Sequence, residues 1–433
     1  MNLLLQGDVG SGKTLVALHA AVVAIGSGHQ AAIMAPTEVL AGQHARSVEQ
    51  VLGPMGAVPF LAAPTTADAD QGSLLADAPR PALTYALLTA AVTGRDRARI
   101  LEGIASGAVD LVVGTHALVQ EGVAFADLSL AVIDEQHRFG VHQRMALKGK
   151  GASPDVLIMT ATPIPRTLAL TYYGDLDVVV LDEMPKGRQP IDTRVARTEV
   201  ERAQAEDLVR REVREGRQAF VVCAAIDEGN RAEVRAAEAE ADRLATEVFP
   251  DLSVQVLHGR MRPVEKAAVM EAFRRGDHDL LISTTVIEVG VDVPNATVML
   301  VENAERFGLA QLHQLRGRIG RGAHRSYCVL FDASREDNEE ARARLAAMAR
   351  TTDGFELADE DLRLRGEGTL FDIRQSGMPD LRLARLPEDL DLVRRARDRA
   401  FALVAEDPTL AAHAGLHAEV RERFRASMEW LER

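Results

Sequence analysis

Two cysteines, one tryptophan and an aromatic content of 4% are little for 433 residues. Cys223 and Cys328 are too few for a disulfide scaffold, and neither stands in a metal-ligand spacing. Both sit in apolar strand-like runs, FVVCAAI and SYCVLF, which reads as buried free thiols in a reducing compartment. No apolar run approaches the roughly 20 residues that a bilayer crossing needs. The N-terminus lacks the charged, apolar and small-residue order of a secretion signal. Positive charge is also missing in bulk: the net charge is −14 and the pI about 5.4. That excludes a protein held to polyanions by overall charge but leaves room for a local basic groove. Lysine is rare, and nearly all basic residues are arginine. GC-rich coding accounts for most of that bias; guanidinium recognition of phosphate is the functional reading.

What is present is ample core material, 47% apolar, in a chain long enough for two or three domains. The first half alternates strand-like runs with helical stretches: LLLQ at 3–6, AAIMAP at 31–36, LVVGT at 111–115, LAVIDE at 130–135 and VLIMTA at 156–161. That rhythm predicts parallel strands joined by helical crossovers. Residues 61–82, rich in Ala, Asp, Pro and Thr, read as a surface loop, and 182–192, DEMPKGRQPID, as a linker. A second series follows at 220–226, 254–259, 280–285, 297–302 and 326–331. After about residue 334 strands stop. Residues 335–350 and 383–433 read as helices, and the stretch from Thr351 to Asp380 as an irregular segment with too many glycines for a plain helix.

GDVGSGKT at 7–14 follows a strand and opens a helix, as a phosphate-binding loop must. Gly7, Gly10 and Gly12 let backbone N–H groups wrap phosphates, Lys13 reaches the outer phosphates, and Thr14 ligates Mg²⁺. LAVIDEQH supplies the carboxylates at a strand's carboxyl end, where open α/β sheets bind ligands. Asp134 is expected to hold Mg²⁺ and Glu135 to deprotonate the attacking water, which makes ATP hydrolysis the expected chemistry. TATP at 160–163 is either a γ-phosphate sensor or a plain strand-ending turn. In the second half, QLRGRIGRG at 314–322 is expected to begin a helix with Arg318 and Arg321 on one face, as arginine fingers. A solvated basic helix is the ordinary alternative.

These stretches, with APTEVLAGQH (35–44), GTHALVQ (114–120), DEQHRFGVHQR (134–144), TATPIPRTLAL (160–170), TTVIEVGVDVPNA (284–296) and QLHQLRGRIGRG (311–322), resemble superfamily-two helicases. Over nearly the whole chain the resemblance is to the RecG family of branched-DNA helicases. It implies an α/β protein with two tandem RecA-like parallel-sheet domains, at 1–183 and 190–345. A helical hairpin with translocation motif and C-terminal helices would follow at 346–433. It implies ATP and Mg²⁺ as cofactors, and carries the ATP-site roles to Lys13, Thr14, Asp134, Glu135, Gln314, Arg318 and Arg321. Nucleic-acid contacts would fall on Pro36, Thr37, Thr115, His116, Thr284 and Thr285, and coupling on Arg365 and Gln375. The implied setting is a bacterial cytoplasmic, nucleoid-associated monomer, without a membrane, working on branched or duplex DNA beside replication-fork proteins.

Some positions depart from the family pattern. Ala90 stands in LLTAAVTGRDR where glycine is expected, the loop at 61–82 is long, and GEGTLFDIRQSG differs before its glutamine. The phosphate loop comes at residue 7, so the resemblance implies the family's motor without its wedge domain and adenine-reading segment, as a fragment, a truncated gene model or a specialised short form. Scarce aromatics favour gripping phosphates over stacking bases. Two alternatives stand beside the branched-DNA motor: a duplex translocase of the transcription-repair coupling type, and a nucleotide-dependent DNA-binding scaffold with little turnover.

Overall fold

The computed structural model describes residues 1–433 except 9, 63–82, 121, 136–153, 161–175, 182–189, 224–238, 285–292, 335–337, 366–388 and 424–433. The chain divides into two units: 1–164 with 176–365, and 165–175 with 366–433. Both sheets lie in the first unit.

The first sheet holds β1 (Asn2–Gly7), β2 (Gln30–Met34), β3 (Ala57–Pro59), β4 (Leu83–Leu88), β5 (Leu111–Gly114), β6 (Leu128–Asp134), β7 (Asp155–Thr160) and β8 (Asp177–Leu181). Their order is β3-β4-β5-β2-β6-β7-β1-β8, and every pairing is parallel. Parallel sheets are covered on both faces, so their strands are near-continuous apolar runs. On one face Leu5, Ile33, Val113, Val132 and Leu157 pack against Ala17, Leu18 and Ala21 of α1 (Lys13–Gly26) and Ala41 and Val48 of α2 (Glu38–Leu52). Each such leucine or isoleucine, fully buried, contributes about 1.5–3 kcal/mol. Helix α3 (Gly94–Ala105) buries Ile100 and Ile104.

The second sheet runs β11-β12-β10-β13-β14-β9, again all parallel. Its strands are β9 (Ile191–Ala196), β10 (Gln218–Cys223), β11 (Val254–Leu257), β12 (Leu280–Ser283), β13 (Ala296–Glu302) and β14 (Ser326–Phe331). Helix α4 (Glu199–Arg214) covers one face through Ala205 and Val209. It begins with a reciprocal cap: Glu201 N–H donates to Thr198 Oγ1 at 3.2 Å, and Thr198 N–H to Glu201 Oε2 at 3.0 Å. Helix α5 (Pro263–Arg275) packs Met270 and Phe273 on the other face. The same core takes in α6 (Leu309–Arg316), α7 (Glu339–Arg350) and Leu357 of α8 (Gly354–Arg365). Val39 of α2 also packs against it, so the two lobes touch. Both thiols are buried, as expected from their sequence setting.

The ten expected strands are present, and four more join them. β9 starts at Ile191, inside the stretch read as linker; its polar sequence IDTRVA suits an edge strand paired only to β14. β3 and β8 are also edges, and β4 lies beside the stretch read as loop. The irregular segment needs a larger correction: its residues 354–365 form α8. Asp353 caps it, its Oδ1 accepting from Phe355 N–H at 2.7 Å and Glu356 N–H at 3.3 Å, and Leu357 anchors it in the core. Of the glycines that argued against a helix, Gly354 opens it and the others come after it in the sequence. In the second unit, α9 (Leu390–Glu406) sets the Arg397 guanidinium over the Phe401 ring at 4.8 Å. Asp407 then caps the turn before α10 (Ala414–Arg423), accepting from Ala411 and Ala412 N–H at 3.0 and 2.9 Å.

Candidate functional site

Strand β1 is held between β7 and β8, and its carboxyl end releases the chain at Gly7. A side chain at Gly7 would stand 2.3 Å from Ser11 Oγ and 3.2 Å from Leu181 O, so the loop folds back closely on its strand. Gly10 and Gly12 lie at φ +84° and +91°, a left-handed backbone that glycine adopts without strain. Leu15 and Val16 N–H then bond Gly12 O, and α1 starts at Lys13. Lys13 is buried and donates from Nζ to Gly7 O at 2.8 Å and Asp8 O at 2.9 Å. Burial pulls its ammonium below the ordinary lysine range. The Glu135, Asp134 and Asp8 carboxylates oppose that, and the Arg321 guanidinium adds to it. Three acids of the first lobe and an arginine of the second thus act on one ammonium.

Asp134 ends β6, one strand beyond β7 from the loop. Its Oδ2 lies 2.8 Å from Nε2 of His44, a buried residue of α2. Glu135 follows at φ +51°, a left-handed conformation costing about 1–3 kcal/mol in a non-glycine residue. Its N–H donates to Met159 O at 3.0 Å, which fixes this turn onto the end of β7. Thr160 is buried there, opposite Gln6; the rest of TATP, like DEQHRFG after Glu135, lies outside the described residues.

The second lobe approaches the loop through α6. His313 Nε2 lies 2.6 Å from Asp8 Oδ1, and Arg316 donates from Nη2 to His313 Nδ1 at 2.9 Å. A guanidinium only donates, so Nδ1 is the acceptor and Nε2 carries the proton toward Asp8. Arg316, fully buried, also donates from Nη1 to Met348 O at 2.9 Å and Thr351 O at 2.8 Å, between α7 and α8. Gln314 is buried in the same helix.

The expectation for the arginines is corrected. QLRGRIGRG does not begin a helix: α6 ends at Arg316, and Arg318 and Arg321 stand in the turn after it. Gly317 ends α6 and Gly320 takes φ +72°, which a continuing helix forbids. A side chain at Gly320 would meet Ile191 at 2.9 Å and one at Gly322 the carbonyl of Pro294 at 2.6 Å, so close packing accounts for both glycines. Arg321 Nε donates to Gly317 O at 3.1 Å, which holds the turn.

Pro36, Thr37, Thr115 and His116 come together at the adjacent carboxyl ends of β2 and β5, where Ala35 N–H donates to Gly114 O at 2.8 Å. Thr37 caps α2, its Oγ1 accepting from Leu40 N–H at 3.3 Å. His116 is exposed, whereas Thr115 is buried with no partner for its Oγ1 among the described residues. Thr284 is buried at the end of β12, its N–H donating to Leu257 O at 3.3 Å. Thr285 and Gln375 fall outside the described residues, as does the side chain of Arg365, the last residue of α8. Sequence reasoning missed Asp8, His44, His313 and Arg316. Asp8 and the two histidines stand inside the quoted motifs, but their partners lie 90 and 305 residues away, and no periodicity reports that.

Models of three families match the chain: DEAD/DEAH box helicase at residues 1–171, helicase conserved C-terminal domain at 201–323, and ATP-dependent DNA helicase RecG, domain 3, C-terminal, at 351–431. The ATP-dependent DNA helicase RecG of a Synechocystis species is 49% identical over 98% of this chain and 48% of its own length. RecG of Escherichia coli O157:H7 is 46% identical over 99% of this chain and 57% of its own. The chain thus spans about half the length of the curated relatives it matches. A solved structure of RecG bound to a three-way DNA junction aligns with a TM-score of 0.68 and 42% identity, over 91% of this chain and 47% of that one.

Proposed function

We propose, for a chain that carries the helicase core of the RecG family, an ATP-driven motor that moves on duplex DNA and remodels forks and junctions. The observation that carries this reading is the contact at the loop between the lobes: His313 Nε2 of one lies 2.6 Å from Asp8 Oδ1 of the other, beside Lys13 Nζ on the Gly7 and Asp8 carbonyls. A motor needs a hydrolytic site shared by two bodies, because closure around nucleotide is the step that can do mechanical work.

In this reading the backbone of Gly7, Gly10 and Gly12 and the Lys13 ammonium cradle the phosphates. Thr14 and Asp134 offer only oxygen donors, which fits a hard cation such as Mg²⁺; when bound, it neutralises charge on the β- and γ-phosphates. Among the described residues no cluster of three His, Cys, Asp or Glu could hold a metal alone. Glu135 takes the proton of the attacking water. Gln314, Arg318 and Arg321 approach from the second lobe, and Arg321 stabilises charge as the γ-phosphate leaves. Pro36, Thr37, Thr115, His116, Thr284 and Thr285 grip the DNA backbone, and Arg365 and Gln375 turn lobe closure into movement. The domain limits are 1–183, 190–345 and 346–433, and the motor works as a monomer beside replication-fork proteins in the bacterial cytoplasm, at the nucleoid.

The test is ATP hydrolysis with no DNA, single-stranded DNA, linear duplex and a model fork. Stimulation by duplex and fork above single strand is expected. Equal rates on all four would overturn the coupling of this site to DNA.

A further inference from the structure

The carboxyl end of β2 leads through Pro36 and Thr37 into α2, and β2 pairs with β6, placing Met34 opposite Ile133. Asp134 is the next residue of β6, so the start of α2 and the acid of the nucleotide site are neighbours by register. His44 lies two turns into α2, buried at 6% exposure, with Nε2 2.8 Å from Asp134 Oδ2. An ionised carboxylate only accepts, so Nε2 is the donor. A single helix thus carries the expected DNA contacts Pro36 and Thr37 at its N-terminal cap and holds Asp134 from its second turn. Its start is fixed twice, by Thr37 capping Leu40 N–H and by the Ala35 to Gly114 bond.

We propose that His44 is a positioning residue for the nucleotide-bound cation. It holds Oδ2 of Asp134, fixing the rotamer in which Oδ1 serves the metal. Because it sits on α2, DNA engaged at Pro36 and Thr37 sets the geometry of that carboxylate. The inference rests on the reading that Asp134 holds the cation of the bound nucleotide. Buried Gln30, by comparison, spends its amide on main-chain carbonyls, those of Ile104 and Val109 at 3.0 and 2.7 Å. His44 instead spends a proton on an acid of the site. Groups that hydrogen-bond a metal's ligands typically change metal affinity or activity about 10–100-fold when removed.

The experiment is Mn²⁺ binding, followed by electron paramagnetic resonance, to the chain loaded with a non-hydrolysable ATP analogue. Binding of a fluorescent ATP analogue without metal is measured beside it. His44→Leu keeps apolar volume, His44→Asn keeps polarity but falls short of Asp134, and His44→Gln returns an N–H near the original reach. The first two are expected to weaken Mn²⁺ about 10–100-fold, leave metal-free nucleotide binding within about twofold and abolish DNA stimulation of hydrolysis. His44→Gln is expected to restore most of each. Should His44→Leu fail to fold, His44→Asn against His44→Gln carries the comparison. Wild-type Mn²⁺ affinity in His44→Asn, with affinity lost in Asp134→Asn, overturns the role of His44 and leaves the site reading standing. Unchanged affinity in Asp134→Asn as well overturns both. Equal loss of metal-free nucleotide binding in all His44 variants would make the residue structural and also overturn the proposal.

Discussion

Replacing His313 by phenylalanine removes both ring hydrogen bonds and keeps most of the volume. The imidazole stands between a carboxylate at 2.6 Å and a guanidinium at 2.9 Å, and both partners are buried. A hydrogen bond to a charged group contributes about 1.5–3 kcal/mol, so the two together come to about 3–6 kcal/mol. For lobes of this size a kilocalorie moves the melting point by about 2–4 °C, so calorimetry should show a fall of roughly 6 °C or more. The sharper number comes from a cycle with Asp8→Asn. Asparagine keeps an accepting oxygen and loses the charge, so the double variant should lose about 1–2 kcal/mol less than the sum of the singles. Additivity to within about 0.5 kcal/mol would refute the bridge. Since Arg316 carries the contact on to Met348 and Thr351, His313→Phe should also uncouple DNA stimulation from an intact nucleotide affinity.

Three further outcomes are expected. Glu135→Gln should bind ATP as before and lose roughly 10²–10⁴-fold in turnover; an unchanged rate removes Glu135 as the base. Gly114→Ala should destabilise the first lobe by about 1–3 kcal/mol, because a Cβ there lies 2.4 Å from the main-chain oxygen of Leu88; an unshifted denaturation midpoint would deny that close approach. Burial pushes the Cys223 and Cys328 thiols from 9.0 to about 12. The stability they contribute is present below pH 9.0 and lost as pH rises toward 12, so the denaturation midpoint should drop across that window. Cys→Ala variants at both positions should flatten the drop, and a thiol reagent at pH 8 should label neither cysteine before unfolding.

The sheets were legible because a strand covered on both faces has to be apolar along its length. LLLQ, AAIMAP, LAVIDE and FVVCAAI carry that mark. β9 does not, since an edge strand keeps polar residues; its first two residues, Ile191 and Asp192, passed for linker and the other four carried no strand signal. Helix α8 was hidden by glycines, one at its first residue and the others in the sequence after it, while its cap at Asp353 and its anchor at Leu357 were in view. The glycine loop at 7–14 was readable because it is local: strand, glycines and helix follow one another. The arginines of 318 and 321 were placed on a helix because their spacing fits one; Gly317 and Gly320 were the signal that the helix had ended. The bridges of His44 and His313 are products of the fold. Their partners are named only when strand register and lobe packing bring distant residues together.

Glu135 carries a further consequence. Its left-handed backbone is one that glycine or asparagine would accept at less cost. A search for heat-resistant variants that selected on folding alone would therefore be drawn to this position. It would return proteins that melt later and lack the carboxylate proposed as the base. Any campaign to harden this protein has to score turnover at every round, because in the proposed mechanism robustness and chemistry pull in opposite directions at residue 135.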